Sequence, residues 1–236
     1  MDTIYDSLQA IQANIQHVKA AANRTDAIAL LAVSKAQPAE KLRAAYLAGQ
    51  HAFGENYVQE AINKQNELKD CAIEWHFIGP IQSNKTQLIA QRFDWVHSVD
   101  RLKIAQRLND ARPPSAAPLN VCIQINSSEE GSKSGVDIAS QTMLAKAISE
   151  MPHLKLRGLM AIPAPTKELA KQREQFRIVA DAFKNLQQQG FKLDTLSIGM
   201  SDDYVAAIHE GATIVRIGSA IFGLRNPEQT NLKENN

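Results

Sequence analysis

The sequence predicts an α/β fold: a single (β/α)8 barrel of the TIM type with one extra helix at its N-terminus. The main observation is that short apolar segments alternate with amphipathic ones, giving eight strand–helix pairs in succession. The first strand segment, residues 28–33, is a continuous apolar run, as a parallel strand covered on both faces requires. The length of 236 residues also suits this architecture, since such barrels commonly have about 250 residues. The alternation alone leaves an open, doubly wound sheet as the alternative.

The elements follow one another in a fixed order after the N-terminal helix. Apolar residues at intervals of three and four, from Ile4 to Val18, give that helix one hydrophobic face. Because a helix follows every strand, the sheet is expected to be parallel with right-handed crossovers. The predicted strands are 28–33, 51–54, 75–78, 95–99, 119–125, 154–162, 193–198 and 213–217. The predicted helices between and after them are 38–49, 55–68, 83–91, 101–109, 136–150, 169–186, 202–209 and 220–223.

No shift in composition marks a boundary between domains along the chain. Residues 1–223 are therefore expected to form one domain, and the polar residues 224–236 a C-terminal tail. The prolines within 112–118 indicate a surface loop between a helix and a strand, because proline cannot donate a backbone hydrogen bond to either element.

The composition argues against several functional classes. Lys and Arg number 26 against 25 Asp and Glu, a net charge of +1, whereas nucleic-acid binding usually requires a basic excess. No apolar run approaches the roughly 18 residues of a membrane-spanning helix, and the N-terminus lacks the features of a signal peptide, so a cytoplasmic protein is expected. The cysteines, Cys71 and Cys122, and the six histidines show no metal-binding spacing. Neither a metal nor a disulfide framework is therefore expected.

Lys35 is the first candidate for chemistry, because it comes two residues after the apolar run that ends at Val33. In a barrel, reactive side chains gather at the carboxyl ends of the strands. Burial at such a position lowers the pKa of a lysine amine, and a neutral amine attacks carbonyl groups to form a Schiff base. The alternative is a lysine whose ammonium group simply reaches solvent at the rim.

Two glycine-containing loops follow the last two predicted strands. The first contains Gly199 and Ser201, with Ser201 as the expected N-cap of the next helix, and the second contains Gly218 and Ser219. Loops after the seventh and eighth strands commonly bind phosphate in these barrels. Each loop alone would also fit an ordinary helix cap, but the two together favour phosphate. The two acidic residues after Ser201 would repel a phosphate, so their side chains are expected to point away.

Two polar residues lie inside predicted apolar strands. An unpaired guanidinium at Arg216 would be costly to bury, so Arg216 is either a partner in an ion pair or a contact to a ligand. His76 lies in the middle of the third predicted strand, where a single histidine is usually a hydrogen-bonded packing residue.

Six segments together resemble one known family. They are AVSK (32–35), FGENYVQE (53–60), WHFIGPIQSNK (75–85), GLM (158–160), SIGMSDD (197–203) and VRIGSAIFG (215–223). The third segment is highly specific, whereas VSK alone would be weak. The resemblance is to the pyridoxal phosphate homeostasis protein family, whose fold is similar to the N-terminal barrel of alanine racemase. It runs in order over residues 28–223; Ile198 stands where many members have methionine, an apolar exchange.

The resemblance implies that the cofactor is pyridoxal 5′-phosphate (PLP) and that Lys35 holds it as a Schiff base. It implies that Ser201, Gly218 and Ser219 bind the phosphate group and that Arg216 faces the pyridine nitrogen. By the same resemblance, the remaining pocket-lining residues would be Asn56, His76, Met160, Ser197 and Met200.

The function implied by the resemblance is intracellular PLP homeostasis: storage, buffering and delivery of PLP to apo-enzymes. Little or no turnover is expected, because an arginine that stays charged leaves the ring nitrogen unprotonated. In alanine racemase a second domain supplies a tyrosine base, and none is expected here. A monomer is therefore also expected.

Two other functions stay open. One is a fold-type III amino-acid racemase that uses the same lysine, and the other is a PLP-free class I aldolase in which Lys35 attacks a sugar phosphate. Lys133, in a loop of glycine and serine residues, is the lysine that could compete with Lys35 for the cofactor.

Overall fold

Eight parallel strands close into a barrel in which each strand pairs with its neighbours in the chain and the first pairs with the last. The computed structural model describes residues 3–126 and 135–223. It confirms the predicted (β/α)8 barrel with its additional N-terminal helix, and the open-sheet alternative is wrong. The strands are β1 (Ala29–Val33), β2 (Ala52–Glu55), β3 (Glu74–Phe77), β4 (Trp95–Val99), β5 (Leu119–Ile125), β6 (Leu154–Ala161), β7 (Thr195–Ser197) and β8 (Ile214–Ile217).

The helices follow the predicted order. The first of them begins with a capping box, in which the Thr3 hydroxyl accepts from the Asp6 N–H and the Asp6 carboxylate accepts from the Thr3 N–H. The helices are α1 (Ile4–Ala21), α2 (Ala39–Leu47), α3 (Val58–Glu67), α4 (Thr86–Arg92) after a 3₁₀ turn (Ser83–Lys85), α5 (Leu102–Ala111), α6 (Gln141–Ser149), α7 (Leu169–Gln188), α8 (Tyr204–His209) and α9 (Ser219–Phe222). Helix α1 packs against α2, α8 and α9, so it covers the side of the barrel where β8 meets β1.

Two of the helices that begin later than predicted do so because strand pairing uses the backbone groups that the helix would need. The segment that begins at Val136 was expected to be helical, but Val136 forms an isolated β-bridge with Ile125. Glu55 was expected at the start of a helix, but it pairs with Phe77 as the last residue of β2. This second difference matters for function, because it places Glu55 at the carboxyl end of a barrel strand.

Alternate strand residues point into two different cores. The outer core, between the strands and the helices, is apolar and includes Phe53 and Phe77. The interior of the barrel is more polar. The ring of His97 on β4 is bonded to Ser197 on β7, and because these strands are not neighbours, the bond crosses the interior. Trp95, Cys122 and Met160 form a small separate apolar cluster, and the Trp95 ring lies next to the His97 ring.

Within residues 3–126 and 135–223, no helix has the length and apolarity needed to cross a membrane. The predicted C-terminal tail, 224–236, and Lys133 lie outside the described residues. The division of the chain into a domain and a tail therefore stays a prediction.

Candidate functional site

The residues predicted to form the site lie at the carboxyl ends of the strands or inside the barrel. In a closed parallel barrel all carboxyl ends surround one mouth. Lys35 follows β1, which pairs with β2 and β8. It is therefore flanked by Asn56, which follows β2, and Gly218, which follows β8. A Cβ atom on Gly218 would lie 2.9 Å from the carbonyl oxygen of Val33, so glycine lets these two strand ends approach closely.

A buried ionic cluster on the outer side of the barrel holds the turn that carries Lys35. Lys35 is half-buried, and Ala36 after it has φ of 57°, in the left-handed region that non-glycine residues rarely adopt. The Ala36 N–H donates to Glu60 Oε1 at 2.7 Å, and Lys64 Nζ lies 2.8 Å from the same oxygen. Lys64 Nζ also donates to the Ser34 carbonyl at 2.6 Å. The residues on both sides of Lys35 are thus tied to one ammonium group on α3.

Glu55 completes this cluster. Its Oε1 accepts from Lys64 Nζ at 2.7 Å and from the Ser34 hydroxyl at 2.6 Å, whereas its buried Oε2 has no hydrogen-bond partner among the described residues. Burial raises the pKa of the Glu55 carboxyl, and the neighbouring Lys64 charge opposes this. This cluster was not predicted from the sequence, although Glu60 and Lys64 stand four residues apart, the spacing of an ion pair on a helix.

Asn56 has a polar atom that lacks a partner. Its Oδ1 is buried and accepts no hydrogen bond within the part of the chain that the structure describes. Buried polar atoms of this kind are uncommon in folded proteins. Gly79, which follows β3, packs directly on Asn56, since a Cβ atom there would lie 2.3 Å from the Asn56 carbonyl oxygen. Asn56 is thus held in place with an acceptor to offer a ligand.

The loops after β7 and β8 meet beside Lys35. The Ser219 hydroxyl donates to the Ser201 hydroxyl at 3.2 Å. Gly199 has φ of 93°, which allows the tight turn that follows β7. The structure therefore brings together the two predicted phosphate loops and places two hydroxyl groups side by side.

Ser201 is not the N-cap of the next helix, and the sequence-based prediction on this point is wrong. Helix α8 begins at Tyr204, and Asp203 occupies the N-cap position. Asp203 Oδ1 accepts from the Met200 N–H at 2.6 Å, which turns the carboxylate back onto its own loop. Burial raises the pKa of Asp203, and this hydrogen bond opposes the effect. The Ser201 side chain lies instead against Ser219.

Arg216 is buried in β8 and bonded to neutral acceptors. Its Nη1 donates to the Ser197 carbonyl and, at 2.9 Å, to the Ser197 hydroxyl, and its Nη2 donates to the Ala161 carbonyl at 2.9 Å. Among the described residues Arg216 forms no ion pair, so the predicted alternative, that Arg216 is a partner in an ion pair, finds no support. Burial lowers the pKa of Arg216 to about 10, which leaves the guanidinium charged at neutral pH. These bonds use three of its five N–H groups, so the Nε–H and one Nη2–H remain for a ligand.

His76 forms a buried pair with His97 instead of presenting a ring nitrogen to the mouth. Its Nδ1 lies 2.9 Å from His97 Nε2, and its Nε2 lies 2.8 Å from Glu74 Oε1. Its ring stacks on Trp95 with centroids 5.3 Å apart. Burial lowers the pKa of His76 and lowers that of His97 well below its usual range, so both rings are neutral. Sequence reasoning missed the role of His97, because the two strands give no local signal of the contact.

The two predicted methionines lie in different environments. Met160 is fully buried with Trp95 and Cys122 in the interior, whereas Met200 is 37% exposed in the loop after β7. Burial raises the pKa of the Cys122 thiol to about 12, so this cysteine stays protonated and serves as a packing residue. The structure therefore gives Met160 an interior position and Met200 a position at the mouth.

Comparison with known proteins identifies the family. A family model described as alanine racemase, N-terminal domain, matches residues 7–226. The pyridoxal phosphate homeostasis protein of Pseudomonas aeruginosa is 54% identical over 227 residues, which cover 96% of this chain and 97% of that protein. The protein of the same name from Escherichia coli is 51% identical over 230 residues, covering 96% and 98%. The chain belongs to the pyridoxal phosphate homeostasis protein family.

Solved structures of this family and of a more distant enzyme share the barrel. PipY from Synechococcus elongatus, solved with PLP bound, superimposes with a TM-score of 0.84 at 35% identity, over 94% of this chain and 100% of that one. Alanine racemase from Corynebacterium glutamicum has a TM-score of 0.66 at 23% identity, over 92% of this chain and 62% of that one. This second likeness shows the fold alone.

Proposed function

We propose that the chain binds PLP through a Schiff base to Lys35 and acts in PLP homeostasis, storing the cofactor and delivering it to apo-enzymes as a monomer, with little or no turnover. The observation that carries this proposal is the buried guanidinium of Arg216, held by neutral acceptors and retaining two N–H donors. The names of the relatives and the PLP-bound PipY structure support the choice of ligand.

The residues at the mouth fit the chemistry of this cofactor. Asn56 Oδ1 is a buried acceptor that lacks a partner among the described residues, and PLP carries a ring hydroxyl that can donate. Gly218 leaves the space that a Cβ atom would fill beside Val33. Close approach of the backbone to a ligand is a common use of glycine.

The phosphate group would be held by the loops after β7 and β8. Ser201 and Ser219 supply two adjacent hydroxyl groups, and the first amides of α9 have no partners within the helix. Asp203 does not oppose an anion there directly, because its carboxylate is bonded to the Met200 N–H. These donors would fix one end of the cofactor and so orient the carbonyl carbon toward Lys35.

Arg216 would decide how reactive the bound cofactor is. PLP, once bound as a Schiff base, supplies an electron sink that is strongest when its ring nitrogen is protonated. A carboxylate at that nitrogen would favour the protonated form, but a charged guanidinium donates a hydrogen bond to it and disfavours a second positive charge. The residues at this position therefore support retention of PLP over turnover.

The first experiment replaces Lys35 with alanine. We expect Lys35→Ala to lose the visible absorbance of the Schiff base and the borohydride-reducible adduct, while keeping the circular dichroism of the fold. Lys155→Ala is the matched control, because Lys155 is an exposed lysine in the first half of β6, away from the mouth. A full reducible adduct in Lys35→Ala would contradict the assignment and direct attention to Lys133.

A second experiment tests delivery and turnover. PLP-loaded protein is mixed with a PLP-free apo-enzyme, and recovery of its activity is compared with recovery from free PLP at the same concentration. Faster recovery from the loaded protein is expected for a delivery protein. Rapid amino-acid racemisation by the loaded protein would contradict the proposal, and sugar-phosphate cleavage without PLP would favour the aldolase.

A further inference from the structure

A continuous row of hydrogen-bonded side chains crosses the interior of the barrel. Arg216 Nη1 lies 2.9 Å from Ser197 Oγ, and that oxygen lies 2.8 Å from His97 Nδ1. His97 Nε2 lies 2.9 Å from His76 Nδ1, and His76 Nε2 lies 2.8 Å from Glu74 Oε1. Glu74 is the first residue of β3, at the amino end of the barrel, and its side chain is half-exposed. The row thus links the amino end of the barrel to Arg216.

The protons in this row can be assigned from one end to the other. An ionised Glu74 only accepts, so His76 carries its proton on Nε2 and accepts at Nδ1. His97 must then donate from its Nε2 and accept at Nδ1, because a neutral imidazole carries one N–H. The hydroxyl of Ser197 donates to His97 and its oxygen accepts from Arg216. Every bond is satisfied, with donation running from Arg216 to Glu74.

The opposite direction is unfavourable. It would require a protonated Glu74 as donor and would leave the Ser197 hydroxyl hydrogen without its acceptor in the row. The hydrogen bond from His76 holds the pKa of Glu74 below its usual value, and the Trp95 ring N–H and the Arg157 charge act in the same sense. Arg157 stacks on the Trp95 ring at 4.5 Å, which keeps both groups at this end of the barrel.

We propose that Glu74, His76 and His97 are positioning residues that orient Arg216 from the opposite end of the barrel. Glu74 selects one tautomer of each histidine, the tautomers fix the Ser197 oxygen as an acceptor, and this acceptor sets the direction of the guanidinium. The two N–H groups that Arg216 keeps then point in a fixed direction before any ligand arrives. The expected effect on PLP binding rests on the proposed function, whereas the assignment of the two histidine tautomers does not.

The tautomers can be measured in cofactor-free protein with ¹⁵N-labelled histidine. An unprotonated imidazole nitrogen resonates far downfield of a protonated one, so long-range proton–nitrogen spectra distinguish Nε2–H from Nδ1–H. We expect the Nε2–H tautomer for both His76 and His97 in the wild type. In Glu74→Ala we expect mixed tautomers at both rings. Glu74→Gln should retain the wild-type pattern, because its amide oxygen still accepts from His76.

The consequence for the cofactor is measured by titrating PLP into the same variants. We expect Glu74→Ala to raise the PLP dissociation constant about fivefold and Glu74→Gln to change it less than about twofold, as one neutral hydrogen bond implies. Glu150→Ala is the control, since Glu150 is an exposed glutamate that precedes β6 at the same end of the barrel. Ser197→Ala, which removes the last link before Arg216, should weaken binding at least as much as Glu74→Ala.

The results separate the two proposals. An Nδ1–H tautomer at His97 in the wild type, or unchanged tautomers in Glu74→Ala, would overturn the direction of the row. Changed tautomers with unchanged PLP affinity would overturn the positioning role. If the wild type binds no PLP while both rings show the Nε2–H tautomer, the proposed function fails and the assigned row stands without a cofactor to orient.

Discussion

The buried histidine pair predicts that the stability of the fold falls as the pH is lowered below neutrality, and His97→Gln isolates the contribution of one ring. His97 is fully buried, and desolvation, with the nearby charge of Arg216, lowers its pKa well below 6.5. In the unfolded chain the same ring has its ordinary pKa of 6.5. Below that pH the unfolded state binds more protons than the folded state, so folding stability decreases as the pH decreases.

The size of this effect follows from the linkage. While the folded ring stays neutral, the stability lost through His97 between pH 6.5 and pH 5.5 is about 1 kcal/mol, and the slope approaches about 1.4 kcal/mol per pH unit at lower pH. Glutamine does not titrate in this range. The free energy of unfolding of His97→Gln should therefore depend less steeply on pH than that of the wild type, by this amount, whatever the stability of the variant at neutral pH. His76 contributes in the same direction and remains in both proteins.

The measurement is urea unfolding at several pH values between 5 and 7, with the free energy of unfolding compared between wild type and His97→Gln. His17→Gln makes the same substitution on the exposed face of α1 and is the control for the exchange of histidine for glutamine itself. Parallel slopes for wild type and His97→Gln would refute the reasoning, because they would mean that burial does not keep this ring neutral.

Three further predictions concern the phosphate loops, the barrel wall and the ionic cluster. Ser201→Ala and Ser219→Ala should each weaken PLP retention, by at most about 1.5–3 kcal/mol for a bond to a charged group, with little change in melting temperature; equal release rates in both variants and wild type would place the phosphate elsewhere. Gly158→Ala should destabilise the fold by about 3 kcal/mol in urea unfolding, because its Cβ would lie 1.7 Å from the Thr195 carbonyl oxygen. Lys64→Met should cost about 3–5 kcal/mol, since two buried carboxylates lose their cation; wild-type stability would show that they are protonated.

The order of the elements could be predicted because each follows from a local pattern. Short apolar segments became strands and amphipathic segments became helices, and seven of the eight strands match their predicted bounds within one residue at each end. The errors occur where a contact distant in sequence decides the local structure. Val136 leaves the predicted helix because it bridges to Ile125, and Glu55 belongs to a strand because it pairs with Phe77. Neither partner is visible in a local pattern.

For the candidate site too, the positions of residues along the strands could be predicted, whereas the side-chain contacts could not. The strand ends place Lys35, Ser201 and Ser219 where the alternation of elements predicts them. The contacts that hold the site were not predicted, because they join side chains from separate strands and helices. The His97–Ser197 bond spans 100 positions in the sequence, and each of its two residues alone is an ordinary strand residue.

The Lys35 turn and Arg216 are held from opposite sides of the barrel wall, which bears on the proposed role in PLP storage and delivery. The Lys35 turn is tied from outside the barrel to the ammonium of Lys64, and Arg216 is held from inside by neutral acceptors. Neither the backbone of the Lys35 turn nor the Arg216 guanidinium needs the ligand to fix its position, so binding need not order them. At the phosphate end, by contrast, Ser219 and Met200 are exposed. A ligand anchored in this way would be oriented at the ring and accessible to solvent at the phosphate, which favours retention with release through the mouth.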